Sequence, residues 1–154
     1  MLKNFILLIL FTFTVGCGYE AVYSKKYIIK NSNFSVGKVV SSGDRTLNIK
    51  IERRLKNYSG IKRDKIYALD ITSESLRTVI AKNIKGDPEI YKLDININVM
   101  AVDQNKKETM MRFSKSFKYN NSDDKIELKT NEEEIKNNLA ESITQDLVSR
   151  LANN

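Results

Sequence analysis

Alternation of apolar and polar residues is clearest in the segment 90–102, IYKLDININVMAV. Every second residue from Tyr91 to Ala101 is apolar, whereas Asp94 and Asn96 fall between them. Successive side chains of a strand point to opposite faces, so this segment predicts a strand with one buried face and one solvated face. Strands of this kind are typical of antiparallel or mixed sheets.

Four further segments carry the strand signal less regularly. We predict strands over residues 34–40, 65–72, 76–83 and 110–119, with turn chemistry at 85–89 and a hairpin loop at 103–108. Pro88 falls among the first residues of a strand, where the missing N–H is harmless. Lys115 interrupts the apolar face of the last strand, and we expect it at the edge of the sheet with its charged end in solvent.

Two segments show the four-residue apolar spacing of amphipathic helices. The first helix is predicted over about 44–57, after the turn and cap cluster SSGD. The second is predicted over about 131–152, where Thr130 and the glutamates after Asn131 resemble a capping box. The apolar stripes are Leu47, Ile51 and Leu55 in the first helix and Ile135, Leu139, Ile143, Leu147 and Leu151 in the second.

The order of these elements is β-α-β-β-β-β-α. We therefore predict an α+β fold, a two-layer sandwich with a mixed or antiparallel sheet of four to five strands. The two amphipathic helices are expected to cover the one apolar face that the alternating strands supply. We predict a single domain over residues 34–152, since no repeat and no interdomain linker interrupts it.

The first sixteen residues have the pattern of an export signal. Lys3 precedes the apolar run 5–15, FILLILFTFTV, which is shorter than the roughly 20 residues that a spanning helix requires. The sequence TVGC at 14–17 resembles the lipobox of bacterial lipoproteins, although Thr14 replaces the usual leucine. We therefore predict a signal peptide over 1–16 and a lipidated lead over 17–33.

Cys17 is the residue that this resemblance marks for lipidation. The resemblance implies that Cys17 carries a thioether-linked diacylglycerol, that the chain is cleaved before Cys17, and that the new amino terminus is acylated. Three acyl chains exceed what stable membrane anchoring requires. Gly18 in place of aspartate implies delivery to the outer membrane. The alternative is that Cys17 is a small apolar residue at an ordinary cleavage site.

The net charge of the chain indicates an anionic partner. The chain has 26 basic and 19 acidic residues, a net charge of +7. Loss of residues 1–16 removes Lys3 alone and leaves 25 against 19, or +6. A basic surface favours nucleic acid, a membrane surface or a phosphorylated glycolipid, or is an ordinary solvated face. Because the basic residues do not interleave with aromatic residues, and because export is predicted, we exclude nucleic acid.

Candidate catalytic and metal-binding groups are few. The chain has no histidine and one cysteine, which removes the commonest general base, the commonest metal ligand and any internal disulfide. Asp123-Asp124 is interpreted as a solvated loop, and Glu132–Glu134 as the favourable acidic start of a helix. Ser73 and Ser75 lack a histidine partner. We therefore predict no active site and no cofactor.

The layout as a whole resembles the LptE family of lipopolysaccharide-assembly lipoproteins in its alphaproteobacterial form. The lipobox runs into CGYEAVY at 17–23, where the family often has proline in place of Ala21. The segments 41–55, 67–83 and 91–103 follow in the family's order. FKYNNSDDKIELKT then leads into the long closing helix, with the family's tyrosine-asparagine step after the last strand.

This resemblance implies a non-enzymatic outer-membrane lipoprotein on the periplasmic face. Such proteins plug and stabilise the LptD β-barrel and bind lipopolysaccharide during its insertion. The family's basic lipid-binding residues lie at two loop tips, which correspond here to Lys82 or Lys85 and to Lys129. The alternative for each is an ordinary solvated lysine, which would offer a point charge rather than a bidentate fork.

Two other functions remain open on the sequence. The chain is either a lipid-anchored module that binds an anionic lipid without a barrel partner, or a lipid-anchored hydrolase that uses carboxylates. The hydrolase would depend on Asp124, Glu132 and Glu133.

Overall fold

A four-stranded mixed sheet and two helices make up the part of the chain that the computed structural model describes, residues 32–154. The predicted signal peptide, Cys17 and nearly all of the predicted lead lie outside these residues. The elements are β1 Phe34–Gly43, α1 Arg45–Leu55, a short 3₁₀ helix Lys56–Tyr58, β2 Lys65–Lys82, β3 Pro88–Val102, β4 Glu108–Asn120 and α2 Lys125–Asn153. The predicted α+β sandwich is confirmed, with helices covering one face of the sheet.

The strands lie in sequence order, β1-β2-β3-β4. β1 pairs parallel to β2, from Phe34 opposite Lys65 to Gly43 opposite Ser73, and α1 makes the crossover between them. β2, β3 and β4 form antiparallel pairs joined by short turns. β2 is therefore paired with β1 over its first half only.

The apolar core lies between the sheet and the helices. The alternation predicted for β3 is confirmed, since every second residue from Leu93 to Ala101 is buried. β2 and β4 supply Tyr67, Leu69, Ile71, Met111, Phe113 and Tyr119 to the same core. The helices contribute the stripes Leu47, Ile51, Leu55 and Ile135, Ile143, Leu147, Leu151.

The two strands predicted over 65–72 and 76–83 are one strand, so the predicted element order is wrong at this point. The polar residues between them are where α1 meets the sheet. The buried Ser73 hydroxyl donates to Asn48 Oδ1 at 2.7 Å, and the Asn48 amide donates to the Ser42 carbonyl at 2.9 Å. These residues thus satisfy each other inside the strand instead of ending it.

Asp44 connects the end of β1 to the start of α1. Its carboxylate caps the helix by accepting the amide N–H groups of Thr46 at 2.9 Å and Leu47 at 3.1 Å, and it accepts the Ser75 hydroxyl. Burial raises the pKa of this carboxyl, but these hydrogen bonds and the charge of Lys136 outweigh burial and hold the pKa below its usual value. The SSGD cluster is confirmed as the cap of the first helix.

The second helix begins at Lys125, so the start predicted at Thr130 is wrong. Asp124 is the cap, accepting the amides of Ile126 at 2.8 Å and Glu127 at 3.2 Å. Thr130 lies inside the helix, where its hydroxyl donates to the Ile126 carbonyl. Glu132–Glu134 consequently lie beyond the first turn, and the helix dipole does not account for them.

Lys115 lies on the edge strand β4, as predicted, on the face that the helices cover. Its ammonium group is 2.8 Å from a carboxylate oxygen of Asp146 on α2. The charge that interrupts the apolar face of β4 thus has a partner on the helix above it. Exposed pairs of this kind contribute little to stability.

Candidate functional site

The lysines predicted from the sequence to bind lipid lie at the end of the sheet that β1 does not reach. At this end the turn after β2 leads into β3, and the loop after β4 leads into α2. We define the distal end as β2 from Glu74 onward, the turn Asn83–Asp87, the paired parts of β3 and β4, and the first two turns of α2. No residue of β1 pairs with β2 beyond Ser73.

The β2–β3 turn is built by one asparagine. Asn83 Oδ1 accepts the backbone N–H groups of Lys85 and Asp87, both at 2.9 Å, and Gly86 takes a positive φ of 89°. Asparagine favours such a position because its side chain can accept backbone N–H groups, and glycine favours the other because it adopts a positive φ without steric cost. The turn therefore holds Lys85 at a defined place at the tip, and Pro88 begins β3 as predicted.

The loop between β4 and α2 is fixed to the start of β3. Asn121 donates its backbone N–H to the Glu89 carbonyl at 2.8 Å and its side-chain amide to the Pro88 carbonyl at 2.9 Å. With Asp124 capping the helix, the loop places the first turns of α2 beside the β2–β3 turn. The two loop tips of the predicted lipid site therefore belong to the same end of the domain.

Exposed apolar side chains concentrate at the distal end. Among residues 32–154, ten large hydrophobic side chains are exposed, and six of them lie here. Ile84, at the tip of the turn, is fully exposed at 104%, and Ile126 is exposed at 79%. Their concentration at one end indicates an interaction surface, although Leu76 lies on the outer face of the sheet and Phe117 on the helix-covered face. The six are Leu76, Val79, Ile80, Ile84, Phe117 and Ile126.

The three lysines predicted to bind lipid all lie at this end and are exposed. Lys82 is the last residue of β2 and Lys85 lies in the turn, whereas Lys129 lies in α2 and not in a loop before it, so that part of the prediction is wrong. Within the described chain none of the three forms an ion pair. Their charges therefore remain available to a ligand.

Two more lysines at the same end carry no motif in the sequence. Lys118 lies on the outer face of β4 and Lys125 begins α2, and both are exposed. The alternation of β4 is the one signal that could have placed Lys118 outside the core. Lys125 could be placed only with the correct helix start.

A half-buried polar cluster fixes α2 to the distal part of the sheet. Glu132 of α2 accepts the Arg77 guanidinium at 3.0 Å and the Tyr119 hydroxyl at 3.1 Å, and its other oxygen lies 3.6 Å from Lys136 Nζ. Arg77 also lies over the Tyr91 ring, 5.0 Å from its centre. The glutamate predicted as a helix-dipole residue is therefore the centre of this cluster.

The cluster makes the stability of the protein sensitive to alkali. Burial, together with the charge and hydrogen bond of Glu132, raises the pKa of Tyr119 from 10 to about 12, although Arg77 opposes this. The neutral phenol thus stabilises the fold below pH 10, and this stabilisation is lost as the pH rises through 12. We expect the free energy of unfolding to fall by about 1 kcal/mol more in the native chain than in Tyr119→Phe between pH 9 and 11.5. Urea unfolding at both pH values measures this, and parallel profiles would contradict it.

Other kinds of site find little support in residues 32–154. No group of three or more potential ligands there could hold a metal ion. Asp124, a candidate for the hydrolase, is occupied as a helix cap, and Glu132 is occupied in the cluster. Neither α1 nor α2 is long and apolar enough to cross a membrane.

Comparison with known proteins places this arrangement in a family. The chain matches the family described as LptE, lipopolysaccharide-assembly, over residues 26–151. Comparison with curated protein sequences gave no significant match.

Solved structures show the same fold. The crystal structure of rare lipoprotein B from Shewanella oneidensis is 15% identical, with a TM-score of 0.55 over 76% of this chain and 98% of that one. A minor lipoprotein from Acinetobacter baumannii is 10% identical, with a TM-score of 0.53 over 77% and 92%. Lipoprotein B from Nitrosomonas europaea is 14% identical, with a TM-score of 0.51 over 77% and 83%. Because the family match covers most of the chain, this protein belongs to the LptE family and has a role in lipopolysaccharide assembly.

Proposed function

We propose that this chain is an outer-membrane lipoprotein, held on the periplasmic face by lipids on Cys17, that plugs and stabilises an LptD-like β-barrel and presents lipopolysaccharide to it. It acts by binding and not by catalysis, without a cofactor. The observation that carries the proposal is the distal end, where exposed apolar side chains lie among lysines that have no ion-pair partner within residues 32–154. The family match supports the class of ligand.

The distal end suits a ligand that is both anionic and apolar. Lys82, Lys85 and Lys129 supply positive charge for the phosphates of lipid A, and each ammonium can donate three hydrogen bonds. Ile84 and Ile126 lie beside these charges and offer apolar surface to acyl chains. An ordinary solvated basic face would not require apolar side chains at the same place.

The outer face of the sheet suits a polar environment. Its middle forms a shallow concavity that neither α1 nor α2 covers, with the Ser114 hydroxyl donating to Asn96 at 2.8 Å. A plug inside a barrel meets a polar lumen, which such a surface can match through hydrogen bonds. The lining of the concavity combines the polar residues Glu74, Asn96, Asn98, Arg112 and Ser114 with the apolar residues Met110 and Phe113.

Native mass spectrometry of the full chain, extracted gently from outer membranes through an affinity tag, tests the proposal. We expect a complex with one large barrel protein and with bound lipopolysaccharide. Replacing Lys82, Lys85 and Lys129 by glutamate should lower lipopolysaccharide occupancy about tenfold or more, because attraction is replaced by repulsion. The barrel should be retained.

The matched control changes the same charge at the other end of the domain. Lys56, Lys106 and Lys107 are exposed and lie away from the distal end, and their replacement by glutamate should leave the lipopolysaccharide occupancy unchanged. Recovery of the chain with bound lipopolysaccharide but without a barrel protein would favour the alternative, a lipid-anchored module that binds an anionic lipid. A chain that purifies with neither would overturn the proposal, and an intact mass without acyl chains would remove the anchor.

A further inference from the structure

The distal half of β2 is an open edge of the sheet. β1 leaves β2 at Gly43 opposite Ser73, so from Glu74 to Lys82 β2 has β3 on one side and, among the described residues 32–154, no strand on the other. An open edge presents unpaired backbone donors and acceptors to any strand that can reach it. This segment is ESLRTVIAK.

The peptide groups that face the open side can be assigned. Asp44 N–H donates to the Ser73 carbonyl at 3.0 Å, so the peptide groups of Ser73 point toward β1. Along a strand this direction recurs every second residue, and Ser75, Arg77 and Val79 therefore point toward the open side. Within residues 32–154 no backbone group pairs with them there.

The usual protections of an edge are weak on this segment. Arg77 is its one charge between Glu74 and Lys82, and it is drawn onto the helix-covered face by Glu132 and Tyr91. The edge strand β4, in contrast, carries Arg112, Lys115 and Lys118. The outer strand β1 is interrupted by a register shift between Val36 and Val39. Charged side chains and irregularities of this kind discourage pairing between edges.

We propose that this edge pairs with the same segment of a second copy, as an antiparallel two-fold contact centred on Thr78. The segment is complementary to its own reverse. With Thr78 opposite Thr78, Arg77 and Val79 form hydrogen-bonded pairs through their edge-facing peptide groups. Leu76 then lies opposite Ile80, and these two exposed side chains cover each other.

Opposite charges close both ends of this contact. Glu74 of one copy lies opposite Lys82 of the other, and the two-fold axis makes this pair twice. Because β2 has register shifts against β3 between Val79 and Lys82, regular strand pairing alone does not place Lys82 directly opposite Glu74. The long lysine side chain reaches the carboxylate instead. The parallel arrangement would instead oppose Glu74 to Glu74 and Lys82 to Lys82.

This contact needs no barrel partner, but it shares Lys82 with the proposed lipid site. The other two lysines of that site, Lys85 and Lys129, lie on the turn and on α2 and take no part in the contact. Nine residues per copy form a small interface, which is typical of weak association. The proposal therefore concerns a reversible dimer.

Disulfide cross-linking of the full chain in isolated membranes tests the pairing. In the proposed register Thr78 of the two copies forms a non-hydrogen-bonded pair, with Cα atoms about 4.5 Å apart, within the range of a disulfide. Thr78→Cys is expected to give a dimer of twice the monomer mass on mild oxidation. Asn98→Cys, exposed on the same face but on the inner strand β3, should give none. The native chain, oxidised in the same way, shows whether Cys17 forms any disulfide-linked dimer.

Charge variants in the Thr78→Cys background distinguish this register from chance collision. Glu74→Lys or Lys82→Glu alone opposes like charges and should lower the yield several-fold, whereas the two together restore opposite charges and the yield. Absence of the dimer, an equal yield from Asn98→Cys, or yields that ignore the charge arrangement would each overturn the proposal. A disulfide to a polypeptide of another mass would also overturn it, by showing a different occupant.

Discussion

Gly43→Ala is expected to lower the free energy of unfolding by about 3 kcal/mol or more. Gly43 has a φ of 93°, which an L side chain rarely adopts, and a Cβ there would lie 1.9 Å from the Ser73 carbonyl oxygen. That oxygen belongs to the backbone of β2 and cannot move without disturbing the sheet. Since Ser73 also accepts the Asp44 N–H, the new methyl group would displace both the end of β1 and the cap of α1.

Two other glycines serve as matched controls for this substitution. Gly60 and Gly86 also have positive φ values, of 72° and 89°, but nothing lies within 4 Å of a Cβ at either position. Alanine at these positions should cost about 1 kcal/mol, the strain of the backbone alone. Urea unfolding of the three variants measures the difference. Equal losses at Gly43 and Gly86 would show that the close contact with Ser73 has no energetic weight.

Phe34→Ala is expected to lower the free energy of unfolding by about 3–5 kcal/mol. The Phe34 side chain is fully buried at the start of β1. Its ring stacks on Tyr58 with centres 5.6 Å apart and meets Tyr67 edge to face at 6.0 Å. Truncation would leave a cavity and remove both aromatic contacts, which join β1, the 3₁₀ helix and β2.

Phe117→Ala is the control for this loss. Phe117 is half exposed on the edge strand β4, so its truncation removes little buried surface. We expect a loss below about 1 kcal/mol, since surface substitutions away from special features have small effects. Chemical denaturation compares the two variants, and similar losses would contradict the assignment of Phe34 to the core.

The parts of the fold that the sequence predicts are those with a regular period. β3 alternates without interruption, and the four-residue stripe of the closing helix continues from Ile135 to Leu151, so both faces could be assigned from the residues alone. Asn83 and Gly86 likewise carry their own turn chemistry. In each case the signal is local and does not require knowledge of a neighbouring element.

The errors arise where a residue serves a distant partner. Ser73 and Ser75 look like a break in a strand because their partners, Asn48 and Asp44, lie more than twenty residues earlier. The glutamates after Asn131 look like a helix start, but Glu132 is held by Arg77 and Tyr119 of two strands. Secondary-structure propensity depends on the local sequence and takes no account of such distant contacts, so the tertiary structure overrides it.

The candidate site was predictable only through the family resemblance. That resemblance supplied Lys82, Lys85 and Lys129, and the structure brings their elements to one end of the sheet. The exposed apolar side chains at the same end, such as Leu76 and Ile80, belong to the part of β2 that β1 does not reach, and alternation does not reveal where β1 ends.

The length of β2 separates the two ends of the domain. From Lys65 to Lys82 the strand rises about 3.3 Å per residue, which amounts to about 55 Å. Phe34 is paired at the first end and the lysine-bearing turn follows the last. A tether placed before Phe34 would thus leave the tip at a reach nearly twice the roughly 30 Å hydrocarbon thickness of a bilayer. Under the proposed function, β2 would act as a rigid spacer between the side of the domain that carries the anchor and the tip proposed to bind lipid.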